Sequence, residues 1–366
     1  MFDVYQSSFT EIPSLDDVIG AAMRWHFDQS TGSRFWLAQA NRFSFDPRRD
    51  VKTRADLALF PDVGEAWEAA SLEDLLPQGC IPPRGSKTPW AFSVYETGGT
   101  TGQPRRIAEM TSRYRGVEWV SHVLDSYGFP GVEKGHWLHI GPTGPHIVGR
   151  SVGLLAHKRR AFCYTVDFDP RWVKKCLREG RAEEARRYAD HIIDQALSVV
   201  RSQPVSVLFA TPPILEAICK RPEIHAHFAK KVRGILWAGT SVSPETLRLV
   251  EEEFFPDAKF VGLYGNTLMG IACQRPRLAS DSQRCVFQPF HPFCLIDVLD
   301  PATHHLVRHG ESGQVRTTLM TPEMFLPNNV ERDCAIRVQP TEQFDWDGVA
   351  DVRPLPSVGS VIEGVY

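Results

Sequence analysis

The sequence predicts an α/β fold, with largely parallel sheets covered by helices and a smaller β-rich subdomain after them. Between residues 90 and 287, short apolar runs such as HWLHIG, SVLFAT and KFVGLYG alternate with longer amphipathic stretches. Strands that alternate with helices are typical of a parallel sheet with helices on its faces. From residue 288, the runs PFCLIDVLDP, HLVRHGESGQVRTTLM and AIRVQP alternate apolar and polar residues, which is typical of strands exposed on one face.

Three segments are predicted on this basis. Residues 1–89 are polar and turn-rich, with helical runs near 14–26 and 63–76, and we expect them to pack on the core. Residues 90–287 form the α/β core, and residues 288–366 form the β-rich subdomain.

Two helices of the core have clear signals. Apolar residues at i, i+3 and i+4 spacing predict an amphipathic helix over 181–201. Ser243, Pro244 and Glu245 combine a capping hydroxyl, a first-turn proline and an acid, which together predict that a helix begins there.

Composition and charge exclude several classes of function. Of the 366 residues, 42% are hydrophobic, which is enough for a large core. Lysine and arginine total 41 against 44 acidic residues, so a net charge of −3 gives no basic surface for nucleic acid or an anionic membrane. No apolar stretch reaches the roughly 18 residues of a membrane helix. The opening MFDVYQSSFTEIPSLDDV has no basic residue, unlike a signal peptide, so we expect a cytoplasmic protein.

A Gly/Thr-rich segment after the apolar run AFSV is the strongest functional signal. Glycines let the backbone approach an anion, backbone N–H groups and threonine hydroxyls donate to phosphate oxygens, and arginine supplies positive charge. The segment differs from a Walker A loop because no Gly-Lys-Ser/Thr follows at the required spacing. Its predicted phosphate-binding residues are Thr97, Gly98, Gly99, Thr100, Thr101, Gly102 and Arg105.

This segment resembles the signature loop of the adenylate-forming superfamily, which includes acyl-CoA synthetases, luciferases and peptide-synthetase adenylation domains. In that family the loop ends in Thr-Gly-x-Pro-Lys, and Arg105 stands at the lysine position. The resemblance implies the family's large N-terminal domain as the fold. It also implies that Thr100, Thr101 and Arg105 stabilise the transferring phosphoryl group.

Two later segments are similar to the family's adenine-binding segments. The run GILWAG and the turn after it resemble the strand beside adenine, and the run LYGNT resembles Tyr-Gly-x-Thr, whose tyrosine stacks on the base and whose third residue meets it. The residues carried over are Ala238, Gly239, Thr240, Tyr264, Gly265, Asn266 and Thr267.

The next position departs from the family pattern. Leu268 stands where the family has a glutamate that helps to hold Mg²⁺. The metal ligands are therefore unassigned: either metal binding is weaker, or another acid such as Glu96 contributes.

Two further residues complete the predicted site. Glu331-Arg332-Asp333 resembles the Thr-Arg-Asp of phenylacetate-CoA ligase-like members, in which the aspartate binds the ribose hydroxyls. A carboxylate suits a diol because it accepts two hydrogen bonds. The turn IGPTGPHIVG places His146 where the family has a residue facing the substrate carboxylate.

Complete members of the family carry a C-terminal lid domain with a lysine that assists adenylation. This sequence ends at SVGSVIEGVY, so the resemblance predicts a lidless member. Two kinds of lidless relative are similar in length and plan: the acyl-protein synthetase of bacterial luminescence and the adenylating protein of phenazine antibiotic (griseoluteate) biosynthesis. The second is preferred, because the opening and the DGVADVRP ending of this sequence also resemble it. That resemblance implies ATP- and Mg²⁺-dependent activation of a small aromatic carboxylic acid, followed by handover of the acyl group to a reductase or transferase partner.

Two other interpretations stay open from the sequence. A relative could adenylate another oxyanion, such as nitrite for diazotisation. The other alternative is a protein that binds a nucleotide without catalysis, because Leu268 and the absent lid lysine both weaken catalysis. The acid, the acyl acceptor and the oligomeric state, a homodimer included, are also open.

Overall fold

The computed structural model describes residues 3–6, 11–83, 85–87, 92–97, 104–109 and 112–355. The α-helices are α1 (Asp3–Gln6), α2 (Leu15–His26), α3 (Arg34–Ala40), α4 (Pro47–Asp50), α5 (Gly64–Ala69), α6 (Leu72–Leu75), α7 (Ser112–Ser126), α8 (Ile147–Lys158), α9 (Pro170–Arg178), α10 (Ala182–Ser202), α11 (Pro212–Cys219), α12 (Pro222–Lys231) and α13 (Pro244–Leu249). The strands are β1 (Ser93–Glu96), β2 (Arg106–Glu109), β3 (His136–Gly141), β4 (Cys163–Asp167), β5 (Val205–Ala210), β6 (Gly234–Trp237), β7 (Lys259–Asn266), β8 (Gly270–Gln274), β9 (Val286–Pro289), β10 (Cys294–Leu299), β11 (Ser312–Met320), β12 (Phe325–Val338) and β13 (Gly348–Pro354).

The chain divides into two compact units. The first unit comprises Met1–Gly116, Asn266–Ile271 and Gln288–Val349. The second unit comprises Val117–Gly265 and Ala272–Phe287, together with the chain from Ala350 onward. Most of the predicted N-terminal and β-rich segments therefore share one unit.

In the first unit, β10, β11 and β12 form an antiparallel sheet, which confirms the predicted β-rich region. The register pairs Cys294 with Leu319 and Gln314 with Cys334. The strands β1 and β2 form a separate antiparallel pair in which Glu96 faces Arg106. The predicted phosphate loop is thus the connection of a hairpin.

An aromatic cluster packs the N-terminal helices onto β12. Trp36 of α3 is 1% exposed, and its ring lies 5.2 Å from that of Phe325 and 6.0 Å from that of Phe60. The indole N–H of Trp36 donates to the carbonyl oxygen of Phe325 at 3.0 Å. A buried indole N–H needs such an acceptor. This hydrogen bond therefore lets the large apolar surface of Trp36 be buried without leaving its N–H unpaired.

In the second unit, the strands β4, β3, β5, β6 and β7 lie side by side in that order and are all parallel. Every residue of β5 is buried, as expected of a strand covered on both faces. The predicted α/β core is therefore observed.

The predicted helices are largely confirmed. The amphipathic helix is α10, and Ser243 caps α13 by accepting a hydrogen bond from the backbone N–H of Thr246 at 3.0 Å. The single helical run predicted over 63–76 is wrong. It forms the short helices α5 and α6 because Ala70 is extended and Ser71 caps a new helix start. Among the described residues, no helix is both long and apolar enough to cross a membrane.

We predict that Trp36→Ala lowers the free energy of unfolding by about 3–5 kcal/mol, because it empties a site whose surroundings cannot collapse into it. Urea denaturation followed by circular dichroism measures the change. Trp36→Phe, the matched control, keeps most of the packing and loses only the hydrogen bond, so it should cost about 1–2 kcal/mol. Equal losses in the two variants would contradict this account.

Candidate active site

Hydrogen bonds at its base close the hairpin that carries the predicted phosphate loop. The backbone N–H of Thr97 donates to the carbonyl oxygen of Arg105 at 2.9 Å. The backbone N–H of Arg105 donates back to the Thr97 hydroxyl at 2.9 Å. These two predicted residues are thus paired across the loop. The other predicted loop residues lie outside the described residues: Gly98, Gly99, Thr100, Thr101 and Gly102.

Two arginines follow the loop, and each is paired with a carboxylate. The Nε of Arg105 lies 2.5 Å from Glu68, whose side chain is 50% exposed. The Nε of Arg106 lies 2.9 Å from Glu96, and the Arg106 side chain is 58% exposed. Ion pairs in contact with water contribute only about 0–1 kcal/mol, so a phosphate group can replace Glu68 as the partner of Arg105.

The turn that follows β7 is tied to the hairpin. The hydroxyl of Thr267 donates to the carbonyl oxygen of Glu96 at 3.1 Å. The side-chain oxygen of Asn266 accepts from the backbone N–H groups of Leu268 at 2.8 Å and Met269 at 3.1 Å. The predicted adenine segment and the predicted phosphate loop therefore meet at the end of β1.

The donor set around this turn does not form a metal site by itself. Leu268 is only 5% exposed and offers no oxygen, and the carboxylate of Glu96 is held by Arg106. Among the described residues, no three His, Cys, Asp or Glu side chains cluster closely enough to hold a metal ion. Mg²⁺ usually keeps only one or two protein carboxylates and takes its remaining ligands from phosphates and water.

Glu331 on β12 lies at the centre of this cluster. It accepts a hydrogen bond from the Nδ2 of Asn329 at 2.6 Å, and the side chain of Asn266 also bonds to it. Burial, followed by the neighbouring charge of Asp333, raises the pKa of Glu331 from 4.5 to about 7, although Asn266 and Arg105 oppose the rise. Glu331 is therefore a carboxyl group that changes charge near neutral pH.

Glu331 was not among the predicted site residues, although the neighbouring Asp333 was. Residues i and i+2 of a strand point to the same face, so an acid two positions before Asp333 was the signal available in the sequence. The structure places Asp333 on β12, close enough for its charge to act on Glu331.

In the second unit, His146 occupies the N-cap position of α8, and its backbone N–H donates to the carbonyl oxygen of Thr143 at 3.0 Å. The turn before it is rigid because Asp167 accepts from both the backbone N–H and the hydroxyl of Thr143, at 2.8 and 2.7 Å. A Cβ atom on Gly149 would lie 2.7 Å from the carbonyl oxygen of Pro142, so only glycine lets α8 approach the turn this closely.

A buried histidine lies under the same turn. His139 is fully buried, and its Nε2 lies 3.2 Å from the carbonyl oxygen of Pro142. Burial lowers the pKa of His139 from 6.5 to about 4, so the ring is neutral and donates to Pro142. His139 thus positions the turn that presents His146.

Aromatic rings cover the end of the adenine-side strands in the second unit. Phe287 lies 6.0 Å from Tyr264 and 6.1 Å from Trp237, measured between ring centroids. A Cβ atom on Gly262 would lie 2.7 Å from Trp237 and 2.9 Å from Phe287, so the glycine makes room for both rings. Of these two rings, Phe287 is the one that packs against Tyr264.

The turn after β6 presents small and polar groups. Gly239 has φ = 91°, a conformation that favours glycine, and Ala238 precedes it. The buried hydroxyl of Thr240 has no hydrogen-bond partner among the described residues, which leaves it available to a ligand.

The described site residues fall into two groups. Thr97, Arg105, Asn266, Thr267 and Asp333 lie in the first unit. His146, Ala238, Gly239, Thr240, Tyr264 and Gly265 lie in the second unit.

Residues 182–318 match the family model described as AMP-binding enzyme. The match runs from the start of α10 into β11 and includes the turn after β6 and the segment ending at Thr267. No curated protein sequence matches the chain.

Solved structures of 2-hydroxyisobutyryl-CoA ligase have a similar fold. The postadenylation state in complex with R3-HIB-AMP superposes with a TM-score of 0.65 at 12% identity, covering 94% of this chain and 67% of that chain. The open conformation in complex with 2-HIB-AMP and CoA gives a TM-score of 0.64 at 14% identity, covering 92% and 72%. At this identity the likeness establishes the fold alone, which is the predicted α/β class.

We predict that Glu331 makes stability fall as pH rises. Because its pKa is raised to about 7 in the folded chain, the folded state holds the proton more tightly than the unfolded state. The resulting stabilisation is complete below pH 4.5 and is lost by about pH 7, and it amounts to at most about 3 kcal/mol. Urea unfolding at pH 5 and pH 8 measures it.

The matched control is Glu331→Gln, which keeps the shape and the oxygen that Asn329 contacts but does not titrate in this range. The wild-type protein should lose more stability than this variant between pH 5 and pH 8. The same pH dependence in both proteins would remove Glu331 as its cause.

Proposed function

We propose that the chain activates a small aromatic carboxylic acid with ATP, forming an acyl-adenylate and releasing pyrophosphate. The observation that carries the proposal is the convergence in the first unit of three segments that the sequence linked to ATP. The hairpin base with Thr97 and Arg105, the Asn266–Thr267 turn and the Glu331–Asp333 strand are joined by hydrogen bonds and charge. The AMP-binding family match over 182–318 and the ligase fold support the same reaction class.

The reaction is a displacement at phosphorus. A carboxylate oxygen of the acid attacks the α-phosphorus of ATP in line, the bond to the bridging oxygen breaks, and pyrophosphate leaves with that electron pair. Catalysis consists mainly of positioning and of stabilising the negative charge on the phosphoryl oxygens. Arg105, Thr100 and Thr101 supply this stabilisation in the proposal, and Asp333 holds the ribose.

Mg²⁺ bound to ATP neutralises part of the triphosphate charge in this scheme. With Leu268 apolar and Glu96 paired to Arg106, Glu331 is the acid best placed beside Asn266 to receive the metal. The charge of Glu331 near neutral pH would then depend on whether the nucleotide and its metal are bound.

The pathway and the acceptor belong to the proposal as well. The resemblance to the adenylating protein of phenazine antibiotic biosynthesis supports a role in secondary metabolism. In such a pathway the acyl group passes to a partner enzyme that reduces or transfers it. The solved 2-hydroxyisobutyryl-CoA ligase contains CoA beside 2-HIB-AMP, so CoA is included among the acceptors to be tested.

A nucleotide-binding protein without turnover is the second candidate, and buried Leu268 is the observation that favours it. It differs from the first candidate in a measurable way, because it would bind ATP without releasing pyrophosphate.

We predict acid-dependent pyrophosphate release when the purified protein is incubated with Mg²⁺, ATP and a panel of aromatic and aliphatic acids. Mass spectrometry of the products should show an acyl-AMP peak with an aromatic acid, and nitrite serves as the alternative oxyanion. ATP binding without pyrophosphate release for any acid would favour the second candidate.

We predict that Arg105→Ala lowers kcat by roughly 100-fold, since it removes a positive charge at the developing phosphoryl charge. Arg106→Ala, in which the neighbouring exposed arginine is lost, should have a smaller effect. Arg186→Ala on α10, at a side chain that is 64% exposed, is the matched surface control. Unchanged turnover in Arg105→Ala would remove this residue from the mechanism.

A further inference from the structure

A cavity of about 240 Å³ lies within the first unit. Its walls come from α1, the end of β2, the start of α7, the segment after the Asn266 turn and the strand pair β10–β11. Glu109 is the last residue of β2, the strand that begins directly after the phosphate loop. Met269 follows the turn that Asn266 fixes. Two chain segments of the predicted nucleotide site therefore continue directly into this cavity.

The walls of the cavity are mainly apolar and rich in aromatic rings. Phe290 and Phe293 both line it, with ring centroids 5.1 Å apart, and Tyr5 lies 5.9 Å from Phe293. Met269 and Leu319 complete the apolar surface. Aromatic rings in offset or tilted arrangements favour a further ring beside them.

The polar groups of the lining favour an anion. Arg113 and Arg115 both line the cavity, whereas Glu109 is the only carboxylate that does so among the described residues. Arg113 is 6% exposed and bonds to Glu109 through Nε at 2.8 Å and Nη2 at 2.6 Å. The guanidinium of Arg115 lies 4.9 Å from the centre of the Phe293 ring.

A buried hydroxyl group adds a second polar signal. Tyr5 lines the cavity, is only 6% exposed, and its hydroxyl has no hydrogen-bond partner among the described residues. Buried polar groups are nearly always hydrogen-bonded, so a missing partner indicates a ligand or a water molecule at that position. Glu323 accepts from the backbone N–H of Ser112 at 3.1 Å, and its charge acts on both Tyr5 and Glu109.

The volume limits the ligand. A dry cavity of about 150 Å³ holds one benzene molecule. A cavity of about 240 Å³ therefore has room for a single ring with a carboxylate and one small substituent.

We propose that this cavity binds a single-ring aromatic carboxylic acid, with the ring against Phe290 and Phe293 and the carboxylate near Arg113 and Arg115. The assignment rests on the proposed acyl-adenylate function and deepens it, because it names a binding site for the acid. We expect a single-ring acid to bind in this cavity more tightly than a tricyclic phenazine carboxylate.

The test measures binding of benzoate by isothermal titration calorimetry, with cyclohexanecarboxylate and phenazine-1-carboxylate as probes of ring and size. Wild-type protein should bind benzoate most tightly. Leu319→Trp fills the cavity and should weaken benzoate binding by about tenfold or more. Leu249→Trp, at a leucine that is 43% exposed in the second unit, is the matched control and should leave it unchanged. Cys294→Met, a smaller insertion from the cavity wall, replaces Leu319→Trp if that variant does not fold.

Pyrophosphate release measured on the same proteins separates the two proposals. Loss of benzoate affinity in the filled variants, with wild-type affinity in the control, supports the cavity whether or not pyrophosphate is released. A different result would be acid-dependent pyrophosphate release by wild-type protein together with unchanged benzoate affinity in the filled variants. That result overturns the proposal that the cavity binds the acid and leaves the proposed function intact. Absence of benzoate binding to wild-type protein, or tighter binding of phenazine-1-carboxylate, also overturns it.

Discussion

The side chain of Asn266 is the constraint on which the rest of the candidate site depends. Its oxygen holds two backbone N–H groups of the following turn, and its amide bonds to Glu331. The next residue, Thr267, ties the same turn to the end of β1. Asn266 and Thr267 together therefore connect the strand of Asp333, the predicted adenine segment and the base of the β1–β2 hairpin. Because both ends of the Asn266 amide are engaged within the protein, its main role here is to position its neighbours.

The sequence predicted features that depend on neighbouring residues better than features that depend on contacts between distant parts of the chain. Local signals were reliable: the apolar runs became β3, β5 and β7, and Ser243 caps its helix as expected. The break between α5 and α6 was missed because a capping serine at Ser71 overrode a continuous apolar pattern. The positions of individual strand ends also depend on pairing across the sheet, which no local pattern contains.

Long-range chemistry was the harder part. The motifs identified Asp333 and Asn266, but the raised pKa of Glu331 depends on burial and on an acid two residues away along a strand. Likewise, the cavity beside Phe290 and Phe293 is formed by five separate chain segments, including the N-terminal helix of Tyr5. No spacing in the sequence indicates that these segments meet. Motifs predicted where a nucleotide binds, whereas the cavity is visible only in the three-dimensional arrangement.

The hairpin base at Thr97 and Arg105 also bears on how this protein can evolve. Two hydrogen bonds fix the ends of the connection between β1 and β2, so the intervening residues can vary without disturbing either strand. Changing the length of a closed loop costs little, about 0.6 kcal/mol for each doubling. Selection can therefore change the predicted phosphate-binding residues between these two ends at little cost to the stability of the hairpin. Arg105 is different, because its backbone forms both of the closing hydrogen bonds.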